Sequence, residues 1–318
     1  MAETIKIDAP CKVNLSLSVG GRRADGFHDI ESVFAAFSLC DTLKVEAANR
    51  DRHDEIVIIT TELPPAFKKS FGHLNRSPEK NLVYRAVRLF KRETGFDCAI
   101  KASVRKRIPP GGGLGGGSSD AAAALVAMNA LGGGKLSVPA LTALGAVLGS
   151  DVPFFVRVIA GYSGLNRGEA SCSAAFVSGK GERVETVGCP PLDAVIVNPG
   201  FESNTAKAFA LLDADRAAVP ADGGRRLSKQ DLLAALTKNP AEWPFYNDFL
   251  PVLLKTSPFN KHYAAILRDL ADTGAVFSGL SGSGASCFGI FPGPDLAQAA
   301  AARLSERWPF VRYARCCE

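Results

Sequence analysis

Hydrophobic and polar residues alternate strictly between residues 12 and 19 of the chain. Four apolar side chains fall on one face and four polar side chains on the other, namely Val13, Leu15, Leu17 and Val19 against Lys12, Asn14, Ser16 and Ser18. Because successive side chains of a strand point to opposite faces, this pattern predicts a strand with one solvent-exposed side. It also predicts that Lys12 and Asn14 project in the same direction.

Other segments carry the periodicity of strands or helices. Residues 99–105 alternate in the same way, with Ile100, Ala102 and Val104 predicted to face inward. Apolar residues at helical spacing predict four helices, over Asn81–Glu93, Ala121–Leu131, Val138–Leu148 and Asp295–Trp308. Two late strands are predicted at Ala275–Gly279 and Ala285–Phe291. Since these elements lack a regular βαβ rhythm, the predicted class is α+β with mostly antiparallel sheet.

The composition shifts toward glycine, serine and other small residues between about residues 156 and 182. Such a shift predicts a domain boundary, and we divide the chain into residues 1–165 and 166–318. Within this stretch, residues 157–170 have the character of an insertion, which either stays on the surface, where it is tolerated, or lies over a cleft. Residues 220–226 are polar and predict a surface loop.

The overall composition excludes several classes of protein. The 318 residues are 47% hydrophobic and 22% charged, which excludes a mainly disordered chain. No apolar run approaches about 18 residues, so no transmembrane helix is expected. The first twenty residues lack the apolar core of a signal peptide, and we therefore expect a cytoplasmic protein without membrane association.

Charge and cysteine content narrow the possible partners. The net charge of +5 suits a phosphorylated small molecule but is too weak and dispersed to indicate nucleic-acid binding. The eight cysteines form no C-x-x-C pair, and only four histidines are present. Zinc-site spacing is therefore absent, and free thiols in a reducing compartment are expected.

The sharpest feature is a glycine-rich segment at residues 109–120, Pro-Pro-Gly-Gly-Gly-Leu-Gly-Gly-Gly-Ser-Ser-Asp, which runs directly into the alanine-rich helix. Glycine in such density is expected where backbone N–H groups must approach a ligand closely. At a helix N-terminus, free N–H donors and the positive end of the helix dipole together favour a bound phosphate. The alternative is a flexible glycine loop followed by a helix that Ser118 or Ser119 caps.

Two common phosphate-binding motifs do not fit this segment. The Walker pattern requires a Gly-Lys-Ser/Thr ending, and no lysine follows the glycines. Gly111, Gly113 and Gly116 match G-x-G-x-x-G, but the preceding segment is basic and broken by prolines. No acidic residue lies between Asp120 and Asp151, so a nicotinamide-dependent oxidoreductase is disfavoured.

Three segments together resemble the motifs of the GHMP small-molecule kinases. They are the region of Lys12, the glycine-rich segment and residues 279–285, Gly-Leu-Ser-Gly-Ser-Gly-Ala. Within that family, residues 21–28 (Gly-Arg-Arg-Ala-Asp-Gly-Phe-His) are typical of members that phosphorylate cytidylyl methylerythritol for isoprenoid synthesis. Further matches in the expected order lie at residues 10–15, 41–43, 80–83, 149–155 and 247–248.

The resemblance implies a two-domain GHMP kinase fold with its active site in the interdomain cleft. Residues 1–165 would be the ATP-binding domain, and residues 166–318 would be the substrate domain. The implied reaction is the ATP-dependent phosphorylation of the 2-hydroxyl of the cytidylyl substrate, with ATP and Mg²⁺ as cofactors. Nucleic acid and membrane are not expected partners, and a monomer or weak homodimer is expected.

The resemblance also implies roles for individual residues. Asp151 would be the general base, and Lys12 would orient it. The ATP site would comprise Asn81, Lys106, Pro109, Gly111, Gly112, Gly113, Leu114, Gly115, Gly116, Gly117, Ser118 and Ser119. The substrate site would comprise Asn14, Phe27, His28, Phe209, Ser281, Gly282, Ser283 and Gly284. Ser118 or Ser119 is the candidate magnesium ligand.

Each role has a structural alternative. Asp151 and Asn81 could cap their helices, Lys12 could be an ordinary exposed lysine, and the aromatic residues could belong to the core. At the level of function, another kinase of the family acting on mevalonate, homoserine or a sugar is one alternative. A non-catalytic ligand sensor of the same fold is another.

Overall fold

The computed structural model describes residues 3–47, 57–62, 78–164, 172–218, 227–255 and 259–317. Within these ranges the strands are β1 (Glu3–Arg22), β2 (His28–Ala47), β3 (Val57–Glu62), β4 (Ile100–Arg105), β5 (Ala174–Gly179), β6 (Arg183–Val187), β7 (Asp193–Asn198), β8 (Phe277–Leu280), β9 (Cys287–Phe291) and β10 (Phe310–Arg315). The α-helices are α1 (Leu82–Thr94), α2 (Gly116–Leu131), α3 (Val138–Leu148), α4 (Val152–Tyr162), α5 (Thr205–Ala218), α6 (Lys229–Leu236), α7 (Phe249–Lys255), α8 (Phe259–Asp272) and α9 (Pro294–Ser305). None of the helices in these ranges has both the length and the apolar character needed to cross a bilayer.

The first sheet is built around the long strand β2. Its order is β3-β4-β2-β5-β6, and β1 pairs with β2 along nearly its whole length. One half of β2 pairs with β4 and the other half pairs with β5. These pairs are antiparallel, whereas β3 and β4 are parallel. The prediction of an α+β fold with mostly antiparallel sheet is confirmed.

Helix α2 lies at the centre of the helical layer on this sheet. It packs against β1, β2, α1 and α4. Its residues 119–129 are all buried, which explains the run of alanines: small side chains let neighbouring elements approach from every side. The helix begins at Gly116, five residues before the predicted start, and ends at Leu131 as predicted.

The second sheet is formed by the later part of the chain. Its order is β10-β7-β9-β8, and every pair is antiparallel. Helix α9 packs on β7 and β10, while α8 packs on β8 and β9. The backbone joins the two sheets near the C-terminus, because Cys317 N donates to Ala36 O at 2.9 Å.

The prediction that β1 has one solvent-exposed side is wrong. Its four polar residues between 12 and 18 are all buried, like the apolar residues opposite them. Residues distant in the chain enclose this polar face: Lys12 Nζ lies 3.7 Å from Asp151 Oδ2, and Ser16 Oγ donates to Tyr246 O at 3.4 Å. A contact between distant parts of the chain leaves no mark on the local alternation.

The segment predicted as an insertion is partly helical. Residues 157–162 form the last turns of α4, and Val158, Ile159 and Ala160 are buried, so this part of the segment does not lie on the surface. Residues 165–170, like the predicted loop at 220–226, lie outside the described residues. Strands β5 and β6 return to the first sheet after residue 165, and the division at residues 165 and 166 stays a prediction.

Candidate active site

A cleft of about 840 Å³ lies where the glycine-rich segment, β1 and α5 meet. Most of the predicted site residues line it. They are Lys12, Asn14, Phe27, His28, Pro109, Gly111, Gly112, Gly113, Leu114, Gly115, Gly116, Gly117, Ser118, Asp151, Phe209, Gly282 and Ser283. Residues separated by more than 200 positions in the chain therefore face one space of ligand size.

The glycine-rich segment forms one wall and opens the N-terminus of α2 toward the cleft. Gly115 precedes the helix with a left-handed φ of 71° and makes no side-chain cap, while Gly116, Gly117 and Ser118 of the first turn line the cleft. The first N–H groups of a helix have no partner within it, and they lie at the positive end of the helix dipole. This wall is therefore suited to a phosphate group.

Glycine is required at residue 113 by contact as well as by conformation. Its φ is 77°, and a Cβ there would overlap the carbonyl oxygen of Ser281 and lie 2.7 Å from that of Gly284. The two loops touch backbone to backbone, and Ser281 Oγ donates to Gly113 O at 2.9 Å. The fully buried Ser281 thus fixes the glycine loop from behind instead of lining the cleft.

Lys12 and Asp151 lie side by side at the floor of the cleft. Lys12 Nζ is 3.7 Å from Asp151 Oδ2 and donates to Asn14 Oδ1 at 2.6 Å. The ammonium also lies 4.5 Å from the centre of the Phe34 ring, a favourable position for a cation. Burial lowers the pKa of the Lys12 amine, and the attraction of Asp151 offsets part of that effect.

Asp151 occupies the N-cap position of α4, yet its side chain makes no capping hydrogen bond. The simple capping alternative therefore does not account for the residue. The side chain of Asp151 is 28% exposed, whereas the side chain of Lys12 is 5% exposed. Asp151 is thus held on one side by a buried cation and open to the cleft on the other.

His28 and Phe209 stack at the far end of the cleft. Their ring centres are 4.7 Å apart with 20° between the planes, and His28 Nε2 lies 2.8 Å from Asp213 Oδ1. Phe209 also packs perpendicular to Phe249 at 4.9 Å. Phe209 is therefore held between two rings, whereas Phe27 is 53% exposed with Lys180 Nζ 5.0 Å from its ring centre. Of the two predicted aromatic platforms, the open one is Phe27.

Asn247 holds the second small-residue loop in place. Its Nδ2 donates to Leu280 O and Gly282 O, both at 2.8 Å, and Gly282 and Ser283 line the cleft. Gly284 lies behind, where a Cβ would meet Tyr263 Oη at 2.6 Å. The neighbouring Asp248 accepts from Val19 N at 2.7 Å and from Arg216 at 2.8 Å, so that residue is structural.

Three residues assigned to the ATP site do not line the cleft, namely Asn81, Lys106 and the fully buried Ser119. Asn81 caps α1, with its Oδ1 accepting from Val83 N at 2.9 Å, and the adjacent Leu82 lines the cleft instead. Lys106 is buried with its Nζ between the carboxylates of Asp41 and Asp120. Their direct contact with ATP stays a prediction, which these buried partners do not favour.

The buried group of Asp41, Lys106 and Asp120 supports the glycine loop from beneath. Asp41 on β2 also accepts from the backbone N–H groups of Arg107 and Ile108, just before the loop. Burial raises the pKa of Asp120 to about 7, with Lys106 opposing and Asp41 adding to the shift. Burial alone would lower the pKa of Lys106, but the two carboxylates raise it above its usual value.

One serine hydroxyl beside the glycine-rich segment, that of Ser118, faces the cleft where a metal-bound phosphate would lie. Ser118 lines the cleft beside the helix N-terminus, whereas Ser119 is fully buried and its Oγ has no hydrogen-bond partner among the residues that the structure describes. In the described part of the chain, no three His, Cys, Asp or Glu side chains form a metal-binding group. Magnesium commonly binds through substrate phosphates with one or two protein ligands, and Ser118 is a hydroxyl that lines the cleft.

Sequence reasoning missed Asp213 and Lys180, which both line the cleft. Asp213 follows Phe209 by four residues on α5, a spacing that places both side chains on one helix face. If Phe209 is taken as a site residue, this spacing indicates from the sequence that Asp213 faces the same site. Lys180 lies in a turn between β5 and β6, and nothing in its local sequence distinguishes it from a surface lysine.

Comparison with known families agrees with this geometry. The family model "GHMP kinases N terminal domain" matches residues 81–157, and "GHMP kinases C terminal" matches residues 246–309. The GHMP kinases are therefore the class of protein that the fold and the glycine-rich cleft indicate. A structure of homoserine kinase from Cytophaga hutchinsonii shares the fold, with a TM-score of 0.65 and 18% identity over 99% of this chain and 94% of that one.

Relatives with higher sequence identity indicate which family of GHMP kinases the chain belongs to. The 4-diphosphocytidyl-2-C-methyl-D-erythritol kinase of Thermus thermophilus is 36% identical over 93% of this chain and 91% of its own length. The enzyme of the same name from Treponema pallidum is 33% identical over 99% of both chains. A crystal structure of 4-(cytidine 5'-diphospho)-2C-methyl-D-erythritol kinase matches with 32% identity and a TM-score of 0.73 over 98% of both chains. The chain belongs to the 4-diphosphocytidyl-2-C-methyl-D-erythritol kinase family of GHMP kinases.

Proposed function

We propose that this protein transfers the γ-phosphoryl group of ATP to the 2-hydroxyl of 4-diphosphocytidyl-2-C-methyl-D-erythritol. The products are the 2-phosphate and ADP. Membership of the family supports this reaction, as does one observation above all: the Lys12–Asp151 pair, 3.7 Å apart, faces the same cleft as the open N-terminus of α2. A proton acceptor and a phosphate-binding backbone thus share one space.

The glycine wall accounts for the nucleotide side of the reaction. Free N–H groups at the start of α2 would hold phosphate oxygens of ATP, and their dipole would stabilise negative charge that develops during transfer. Magnesium, when bound, neutralises charge on the triphosphate, and Ser118 is the hydroxyl of this chain that we assign to hold it.

Asp151 is the group that we assign as general base. Its carboxylate takes the proton of the 2-hydroxyl as the oxygen forms its bond to the γ-phosphorus, and the bond from that phosphorus to the β-phosphate oxygen breaks. Lys12 holds Asp151 by charge and adds positive potential near the transferred group. Asn14, bonded to Lys12 Nζ and to Ser32 Oγ at 2.9 Å, fixes the direction of the lysine.

The opposite end of the cleft suits a nucleobase. The exposed ring of Phe27 offers a stacking surface, and the imidazole of His28 offers a polar group at the edge of a base. We assign the cytosine to this end, which places the diphosphate between the aromatic residues and Asp151. A mevalonate, homoserine or sugar kinase would have no use for this pair of residues.

The test is ADP release from Mg-ATP with the cytidylyl substrate, measured beside mevalonate, homoserine and galactose. We expect turnover with the cytidylyl substrate alone. Turnover with another of the alcohols would remove the cytosine assignment of Phe27 and His28 but keep the phosphoryl-transfer chemistry. The absence of ADP release with all four compounds would favour a ligand sensor of the same fold.

A further inference from the structure

Helix α5 constrains one imidazole in two independent ways. Phe209 stacks on the ring of His28 at 4.7 Å and fixes its plane, while Asp213, one helical turn later, meets its Nε2 at 2.8 Å. The side chain of His28 is only 5% exposed, compared with 39% for Asp213. The ring has therefore little freedom to tilt or to rotate within its plane.

The bond to Asp213 decides which ring nitrogen carries hydrogen. An ionised carboxylate only accepts hydrogen bonds, so Nε2 must donate, and in a neutral imidazole the proton on Nε2 leaves Nδ1 as an acceptor. With Nε2 occupied, Nδ1 is the ring atom left to meet a ligand. An acceptor at this position distinguishes the two pyrimidines, because cytosine carries a 4-amino donor where uracil carries a 4-oxo acceptor.

We propose that Asp213 is a positioning residue that makes His28 read the 4-amino group of cytosine. By holding the proton on Nε2, it presents Nδ1 as an acceptor to that amino group and sets two acceptors face to face when uracil is bound. This inference rests on the proposed function, since it takes the base at the Phe27–His28 end of the cleft to be cytosine.

The experiment compares wild type with Asp213→Asn and Asp213→Leu, with Asp215→Asn as control. Asp215 lies on the same helix but pairs with Lys255 at 2.8 Å, away from His28. Affinities for CDP, UDP and ATP are measured by calorimetry at one pH. ¹⁵N imidazole spectra at the same pH report the His28 tautomer, and four histidines in the chain make assignment practical.

We expect the wild type and Asp215→Asn to show the Nε2–H tautomer and to prefer CDP over UDP by at least about tenfold, the effect of about 1.4 kcal/mol. In Asp213→Leu, which removes the acceptor that holds the proton on Nε2, the Nδ1–H tautomer should appear, the preference should fall to about threefold or less, and ATP affinity should not change. Asp213→Asn should keep most of the preference, because its amide oxygen can still accept from Nε2. Asp213→Glu should restore part of the preference.

Several results would overturn the proposal. One is an Nδ1–H tautomer in the wild type, and another is an unchanged CDP preference in Asp213→Leu. A wild type that binds CDP and UDP equally would overturn the cytosine assignment itself, and with it this role of Asp213. The two kinds of failure are distinguishable because the first leaves wild-type discrimination intact.

Discussion

At the scale of the residue, Lys12 shows how a buried cation can be both tolerated and used. Its side chain is 5% exposed, and the ammonium is surrounded by Asn14 Oδ1, Asp151 Oδ2 and the face of Phe34. A charge without such partners would be expelled or neutralised on burial. The same partners that make burial possible hold the lysine against the carboxylate to which we assign the chemistry.

Replacement of that carboxylate provides the first prediction. Asp151→Asn keeps the shape of the side chain but removes the proton acceptor, so kcat should fall by at least about a hundredfold, the usual size of a general-base effect. Affinity for Mg-ATP should stay within about threefold of wild type, because the glycine wall is untouched. Single-turnover kinetics and calorimetry measure the two quantities, and kcat near the wild-type value would remove Asp151 from this role.

At the scale of the element, the glycine loop and α2 act as one unit. The loop is held by Lys12 N donating to Leu114 O at 3.0 Å and by Ser286 N donating to Gly112 O at 3.0 Å. Its glycines permit close backbone packing against the loop at residues 281–284. The element therefore owes its shape to two distant parts of the chain.

Gly113→Ala should break this packing. The new methyl group would overlap Ser281 O in addition to the strain of a residue at a φ of 77°, so the two loops must separate. We expect kcat/KM for ATP to fall by about tenfold or more. Steady-state kinetics with ATP as the varied substrate measures this loss.

The matched control is Gly134→Ala. Gly134 has a similar φ of 69°, but nothing lies within 4 Å of a Cβ at that position. This variant carries the conformational strain without the overlap, and kcat/KM should stay near the wild-type value. Equal losses in the two variants would show that strain alone, and not loop contact, explains the effect.

At the scale of the whole molecule, the buried group of Asp41, Lys106 and Asp120 joins β2, the start of the glycine loop and α2. It contains two acids and one base. Burial raises the pKa of Asp120 to about 7, well above its value of about 4 in an unfolded chain. Ionisation of Asp120 is therefore less favourable in the folded protein than in the unfolded one.

This shift predicts a pH dependence of stability. A group with a raised folded pKa contributes stability below its unfolded pKa, and that contribution is lost as the pH rises through the folded pKa. Asn at residue 120 cannot ionise. The unfolding free energy of Asp120→Asn, relative to wild type, should therefore rise by about 1 kcal/mol per pH unit between about pH 4 and pH 7.

Urea unfolding of both proteins across this range gives the comparison. Asp97→Asn, which removes an exposed carboxyl outside the buried group, should instead follow the wild-type profile. Parallel profiles for wild type and Asp120→Asn would contradict the raised pKa of Asp120.

Local pattern predicted the elements well where one face meets the core. The helix at residues 138–148 has the predicted bounds, and the alternation at residues 100–105 matches the buried face of β4. The start of α2 differs from the prediction because glycine has a low helix propensity, which the tertiary packing of this helix overrides. The exposed side assigned to β1 was wrong because distant residues enclose its polar side chains, Asp151 beside Lys12 and Tyr246 beside Ser16.

The sequence by itself determined the class of chemistry, since a phosphate-binding backbone is written locally as glycines before a helix, and a strand places Lys12 and Asn14 on one face. Only the tertiary structure decided which charged groups face the cleft. Lys106 lies next to the loop in sequence but is drawn inward by Asp41 and Asp120, whereas Asp213 is remote in sequence and reaches His28. Such pairings arise from packing between elements, and a one-dimensional pattern carries no record of them.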